Sequence, residues 1–316
     1  MTNLGWLFIL AALPILRAFA GPFKWALAYA WILGGIAAFY PGWHEGFGAN
    51  GTLALLLAQD ASSFLTLLLA FTLYISVAPH SLKLRRVYIR GLGGLALAAA
   101  GWSCFHGEFM NSRLLCIFIV LALGVESKWT FLGSLSAIAL LHAPSGGLVL
   151  LGQLVGRTHP KKYLGINLFL AVVIGIIAML LFGLDGKFLL REQFLMQAWH
   201  LHFDGHWQAW LGRGPGTWSL WSLVKQSQQV LYTGSAMIAD HVHNDWAEAF
   251  FELGPVGFGL FAWAAADLFW KTKSRRARSD LAGLAAAMLV QWPMHFAPIV
   301  FLSWVFAKDA YEASER

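Results

Sequence analysis

The sequence predicts an all-α protein that crosses a membrane about ten times and carries one large extracytoplasmic loop. Of its 316 residues, 58% are hydrophobic and only 12% are charged, whereas a soluble domain has about 25% charged residues. The apolar residues form long runs separated by short basic segments, a pattern typical of polytopic membrane proteins. One long polar segment, residues 184–245, interrupts this pattern. The chain is therefore predicted to be a single membrane domain, residues 1–316.

The predicted spans follow the apolar runs, and several are shorter than the ~20 residues of an ideal span. Gly146–Gly156 is the weakest, because Pro144 separates it from the preceding run by a short break. The last span contains Pro293 and Pro298, so it could instead form two helices joined by a turn. The predicted spans are Leu4–Ala20, Phe23–Tyr40, Ala61–Ala78, Gly91–Phe105, Leu114–Val125, Trp129–Ala143, Gly146–Gly156, Tyr163–Gly183, Trp246–Trp270 and Leu281–Phe306.

Basic residues set the predicted orientation. Lys and Arg concentrate in the segments Pro79–Arg90, Arg157–Lys162 and Lys271–Arg278, which the positive-inside rule places in the cytoplasm. The number of spans between them keeps all three on the same side of the membrane. The polar segment 184–245 then lies on the opposite, extracytoplasmic side. The net charge of +6 therefore reflects topology and does not indicate a nucleic-acid partner.

The polar segment 184–245 is the part of the chain in which we expect chemistry. Connections of more than about fifteen residues are usually functional or disordered, and five tryptophans argue against disorder. The segment also concentrates histidine, with five of the eleven in the chain. These are His200, His202, His206, His241 and His243.

Two short stretches of this segment stand out. Leu211–Trp218 reads Leu-Gly-Arg-Gly-Pro-Gly-Thr-Trp, and Gly212, Gly214 and Gly216 permit tight turns and close backbone approach to a ligand, although such clusters are also ordinary turns. The second stretch, residues 240–257, carries two histidines, an amide and several carboxylates directly into an apolar run. Helix capping by Asn244 or Asp245 would explain part of it, but not the histidines.

These stretches resemble the O-antigen ligase-like membrane proteins, which include O-antigen ligases, O-antigen polymerases and pilin O-oligosaccharyltransferases. The resemblance is carried by His-Val-His-Asn at 241–244, the Glu-Leu-Gly-x-x-Gly stretch at 252–257 and the glycine-rich stretch before them. Arg191 to Trp199 and Asn111-Ser-Arg113 are similar to arginine-containing runs of the family. Trp246 stands where the family more usually has tyrosine, and its members typically have about a dozen spans.

The resemblance implies a GT-C-like membrane fold and a glycosyltransferase of the bacterial inner membrane, with its active loop on the periplasmic side. Such an enzyme moves a glycan from an undecaprenyl-diphosphate donor to a hydroxyl of a lipid, glycan or protein acceptor, with no cofactor and no metal. Its other partners would be membrane lipids, and no nucleic acid is expected. Histidine suits the general base because its unperturbed pKa is about 6.5. Arginine suits the diphosphate because its guanidinium remains charged and binds bidentately.

The resemblance assigns roles to individual residues. His243 is the predicted base, His241 its alternative, and Asn244 would orient the imidazole or an acceptor sugar. The predicted diphosphate ligands are Arg191, Arg213 and Arg113. Simpler interpretations stay open: Arg113 could reach the interface from a span end, Arg191 and Arg213 could be solvated loop charges, and Glu252 is expected to be structural support.

Two other functions are compatible with parts of the sequence. The loop histidines with Asp204 could bind zinc in a membrane hydrolase, although no HExxH spacing is present. A transporter or scaffold is favoured only by His295, which lies between two prolines in an apolar run.

Overall fold

The structure is a computed structural model. It describes residues 25–26, 28–30, 32–33, 69–70, 72–106, 112–158, 208–214, 217–218, 244–291, 294 and 296–315. Within these ranges the regular structure is helical and contains no strand, which confirms the all-α prediction for this part of the chain. The helices are α1 (Leu82–His106), α2 (Ser112–Leu123), α3 (Lys128–Leu140), α4 (Pro144–Arg157), α5 (Gln208–Leu211), α6 (Asp245–Lys271), α7 (Arg275–Val290) and α8 (Ala297–Glu315).

The predicted number of spans is not confirmed. Among the described residues, only α6 is both long and apolar enough to cross a membrane. Helices α2, α3 and α4 match three predicted spans in position, but they contain only 12, 13 and 14 residues. A helix of 14 residues is about 21 Å long, which is less than the ~30 Å hydrocarbon core. The predicted spans Leu4–Ala20 and Tyr163–Gly183 lie outside the described residues.

Two helices begin earlier than the apolar runs predict. Residues Pro79–Arg90 were predicted to form a basic loop, but α1 begins at Leu82. Ser81 starts it, since its carbonyl accepts a hydrogen bond of 2.9 Å from the Arg85 backbone N–H. Helix α7 begins at Arg275, inside the predicted loop Lys271–Arg278, because the Ser274 hydroxyl caps it by accepting from the Ala277 N–H. In these two segments, the first helical turns hold Lys83 and Arg85 of α1 and Arg275, Arg276 and Arg278 of α7.

The last predicted span is two helices, which confirms the alternative of a broken segment. Helix α7 ends at Val290, and Gln291 follows it with an extended backbone (φ −149°, ψ −173°). Helix α8 begins at Ala297 with Pro298 in its first turn, where the missing proline N–H has no partner to lose.

The chain divides into two compact units. The second unit contains the described residues 70–158 and 268–315, and α2 lies at its centre. Nine of the twelve α2 residues are buried, and α2 contacts α1, α3, α4, α7 and α8. A helix that is apolar on all sides is expected to be buried in this way. The most extensive contact in this unit joins α4 and α7, where Gly152 and Gly156 lie against the α7 backbone.

Large apolar side chains are exposed on the outside of the second unit. Trp102 on α1 is 70% exposed and Trp129 on α3 is 72% exposed. Leu95 on α1 and Leu132 on α3 are also exposed. Extended apolar surfaces are uncommon on soluble monomers and mark contacts with membranes or other proteins.

The first unit contains the described residues before 70 and those from 208 to 267. The described residues between 25 and 33 are helical, and Leu33 packs with Tyr29 and with Leu253 of α6. Helix α6 is interrupted at Gly254, which has a non-helical backbone (φ 65°, ψ 176°) and is followed by Pro255. The glycine-rich stretch Leu211–Trp218 contacts α6 at this interruption.

Candidate functional site

Helix α6 begins where the predicted catalytic sequence ends. Asn244 is its N-cap: the side-chain Oδ1 accepts a hydrogen bond of 3.0 Å from the Ala247 N–H, and the backbone carbonyl accepts one from Glu248. The capping role left open by the sequence therefore falls to Asn244. Its side-chain NH₂ is the part that could donate to a substrate. His241 and His243, directly before it, lie outside the described residues, and their roles stay predictions.

The glycine loop, Leu211–Trp218, crosses α6 at its interruption. The Gly214 N–H donates a hydrogen bond of 2.9 Å to the Glu252 carbonyl. Gly212, Gly214 and Gly254 all have positive φ angles, of 93°, 103° and 65°. A Cβ atom on Gly254 would lie 2.5 Å from the Gly212 nitrogen, and one on Gly212 would lie 2.6 Å from the Gly254 nitrogen. In the structure, Gly212 and Gly214 closely approach the backbone of α6. The predicted approach of this loop to a ligand stays a prediction.

Side chains reinforce this crossing. The Glu252 carboxylate accepts a hydrogen bond of 3.1 Å from the Trp218 backbone N–H, which agrees with the structural role expected of Glu252. Trp218 is fully buried and its ring meets that of Phe251 edge to face, with centroids 5.2 Å apart. The Thr217 hydroxyl donates to the Gly214 carbonyl and closes the turn. The loop is thus held to α6 through both backbone and side chains.

Arg213 is buried at the centre of the glycine loop. Its side chain is 2% exposed, and its guanidinium carbon lies 5.5 Å from the centroid of the Phe251 ring, within the range of a cation–π interaction. The alternative that Arg213 is a solvated loop charge is therefore wrong. Asp245 and Glu248 are also buried, and they share a face of α6 with Phe251 because the three residues are three positions apart. A buried cation and two buried carboxylates thus lie in the first unit.

Tyr29 supports the loop from the other side. Its hydroxyl donates a hydrogen bond of 2.6 Å to the Leu211 carbonyl. Its ring occupies the space opened by Gly257, where a Cβ atom would lie 2.5 Å from the ring. Tyr29 is a site residue that the sequence did not predict. The one available signal was Gly257, since a glycine inside a helix often marks a close contact.

The remaining predicted residues lie in the second unit or outside the described residues. Arg113 lies in the first turn of α2 and is half-buried, and it belongs to the second unit. Arg191 and Gly216 lie outside the described residues. The same holds for His200, His202 and His206, the core of the predicted zinc alternative. The part of the chain that is described contains no group of three metal-ligating side chains.

Comparison with known proteins gives no further identification. No family model, no curated protein and no solved structure matches the chain. The resemblance carried by the motif residues therefore remains a prediction, and the functional argument rests on those residues and on the geometry of the glycine loop and α6.

Proposed function

We propose that this protein is a membrane glycosyltransferase that moves a glycan from a polyprenyl-diphosphate donor to an acceptor hydroxyl on the extracytoplasmic side. The observation that carries this proposal is the crossing of the glycine loop and α6. These are the two stretches on which the family resemblance depends, and they lie far apart in the sequence. Their direct contact supports the idea that they form one site.

The buried guanidinium of Arg213 is the group proposed to bind the diphosphate. A fixed positive charge in a site that excludes water stabilises a developing negative charge far more than the same charge in bulk water. The diphosphate gains such charge when its bond to the sugar breaks. Phe251 and the glycine loop hold Arg213 in position before the donor binds, so little reorganisation is needed during the reaction.

His243 is the proposed base, because it is covalently adjacent to Asn244, the N-cap of α6. The acceptor oxygen attacks the anomeric carbon of the donor and forms the new glycosidic bond. The bond between that carbon and the diphosphate oxygen breaks, and the diphosphate leaves with the electron pair. The acceptor proton passes to the His243 imidazole and from there to solvent.

A membrane location is part of the proposal. Helix α6 starts at Asp245, two residues after the proposed base in the sequence, and is the described helix that meets the length and hydropathy of a span. Only 22% of its most apolar window is buried within the protein, so the remaining apolar surface needs a nonpolar environment. The exposed tryptophans of α1 and α3 need one too. A donor with a lipid tail would then present its diphosphate near the start of α6.

The test is mass spectrometry of glycolipids and glycoproteins from cells that carry or lack the gene. We expect a glycan-bearing product that disappears in a His243→Ala variant, since a general base contributes about 10²- to 10⁴-fold. An Arg213→Lys variant should lose most product as well, because lysine cannot bind the diphosphate bidentately. His206→Ala is the matched control, as it removes a histidine from the same loop outside the family motif.

Each variant must reach the membrane at the level of the unaltered chain. Full product formation by His243→Ala at normal membrane levels would contradict the assignment of the base. Full activity of the purified enzyme in EDTA would exclude the zinc hydrolase, whereas its loss in EDTA and recovery with zinc would contradict the metal-independent mechanism.

A further inference from the structure

A second charged cluster lies in the second unit, where α1 and α7 begin and α8 ends. Four arginines and four carboxylates meet there. They are Arg85, Arg86, Arg90 and Arg276 with Glu126, Asp280, Asp309 and Glu312. Arg85 is fully satisfied: its guanidinium pairs with Asp309 at 2.8 Å and with Glu312 at 2.5 Å, and it also donates to two backbone carbonyls.

The other three arginines have fewer partners. Arg90 and Arg276 share one carboxylate oxygen of Glu126, with Arg276 at 2.6 Å. Arg276 also donates a long hydrogen bond of 3.4 Å to Asp280. Among the described residues the half-buried Arg86 has neither an ion-pair partner nor a hydrogen-bond acceptor, and its Nε is buried. A buried guanidinium nitrogen without an acceptor is costly.

Positive charge is concentrated around Arg86. Burial lowers the pKa of Arg86 and of Arg90, and the positive charge of Arg276 lowers both further. Burial also raises the pKa of Asp280 to about 7. Neither α1 nor α7 has an acidic residue in its first turn, and helix N-termini add partial positive charge. Arg86 therefore lies near Arg90 and Arg276 and has no ion-pair partner of its own among the described residues.

We propose that Arg86, Arg90 and Arg276 form a binding site for a phosphate group. A phosphate oxygen would supply the acceptor that Arg86 lacks and would relieve the repulsion among the three guanidinium groups. The phosphate belongs either to the headgroup of an anionic phospholipid or to a free phosphate ion, because both present the same oxygens. In the proposed topology this end of the unit faces the cytoplasm, where basic segments meet anionic lipids. The site does not depend on glycosyl transfer.

The binding is measured on the full chain purified in a neutral detergent. The probes are dioctanoyl phosphatidylglycerol, dioctanoyl phosphatidylcholine as the zwitterionic control, and sodium phosphate. The thermal midpoint is followed during each titration, since a ligand that binds the folded state stabilises it by RT ln(1 + [L]/Kd). We expect a midpoint that rises with the concentration of phosphatidylglycerol or of phosphate, and no rise with phosphatidylcholine. Stabilisation by the lipid alone assigns the site to a headgroup, and stabilisation by phosphate alone assigns it to the free ion.

Two variants make the result specific. Arg86→Gln should weaken binding about fivefold or more, as one basic residue contributes roughly this factor at a membrane surface. Arg275→Gln, an exposed arginine next to the site in sequence, removes the same charge and should have little effect. Glu126→Gln removes the carboxylate that Arg90 and Arg276 share, so it should tighten binding, an effect that poor folding cannot imitate. The proposal is wrong if neither probe binds, if Arg86→Gln and Arg275→Gln behave alike, or if Glu126→Gln fails to strengthen binding.

Discussion

Replacing Gly254 by alanine is expected to separate the glycine loop from α6. The backbone of Gly254 (φ 65°, ψ 176°) lies in a region that is essentially restricted to glycine, and another residue held there costs about 1–3 kcal/mol. The added Cβ would lie 2.5 Å from the Gly212 nitrogen, 2.7 Å from the Trp210 carbonyl oxygen and 2.8 Å from the Leu211 carbonyl carbon. All three are backbone atoms, so no side-chain rotation can relieve the overlap.

The loop must therefore move, and the hydrogen bond from Gly214 to Glu252 is lost with it. That bond contributes about 1 kcal/mol. Together with the strain, the expected destabilisation is about 2–4 kcal/mol. Gly259 is the matched control on the same helix. It is exposed and no described atom lies within 4 Å of a Cβ placed there, so Gly259→Ala should stabilise the helix by up to about 1 kcal/mol.

The assay is thermal unfolding of the purified full chain. It is followed by tryptophan fluorescence because Trp218 lies where the glycine loop contacts α6. Limited proteolysis reports separately on the residues around 208–218, which should become more susceptible in Gly254→Ala alone. Equal stability of Gly254→Ala and Gly259→Ala, with equal proteolysis, would refute the argument that the two backbones cross in close contact.

Three further predictions concern the second unit. Burial raises the pKa of Asp280 to about 7, so the folded state binds this proton more tightly than the unfolded state, and stability falls as pH rises from about 4 to about 7. Thermal midpoints at pH 5 and pH 8 should therefore differ more for the unaltered chain than for Asp280→Asn, and equal differences would contradict this. Arg85→Met should destabilise by about 3–5 kcal/mol in urea unfolding because it leaves the Asp309 carboxylate buried without its partner, and a loss below 1 kcal/mol would count against it. Gly156→Ala should weaken the contact of α4 with α7, whereas Gly147→Ala, with open space around it, should not. Similar midpoints for these two glycine variants would show that the α4–α7 contact tolerates a side chain.

The helices were predicted well where hydropathy alone defines them. Runs such as Leu114–Val125 correspond closely to α2, because a helix that is apolar on every side must be buried. The prediction failed at the starts of α1 and α7. Hydropathy marks arginine-rich stretches as loops, but capping by Ser81 and Ser274 decides where these helices begin. A serine directly before each arginine-rich stretch is the sequence signal that marks these helix starts.

The candidate site was predictable only in part. Its glycines could be recognised because positive φ angles require them. Their partner could not, because local sequence does not encode which backbone will cross the loop. The burial of Arg213 also depends on Phe251, which is distant in sequence. From the sequence, Asn244 could either cap the helix or orient the imidazole or an acceptor sugar. Its contact with the Ala247 N–H shows the capping role.

The contact of the glycine loop with Gly254 also makes the number of residues between Asn244 and Gly254 important. Asn244 caps the start of α6 and Gly254 interrupts the helix. The number of residues between them therefore fixes both the distance and the rotation about the helix axis that separate Asn244 from the glycine loop. Inserting or deleting a single residue there would rotate one end by about 100° relative to the other. Asn244 would then be rotated relative to Arg213 and the glycine loop. Related sequences that share this site should therefore vary in the rest of the polar segment while keeping the count of residues from Asn244 to Gly254 unchanged.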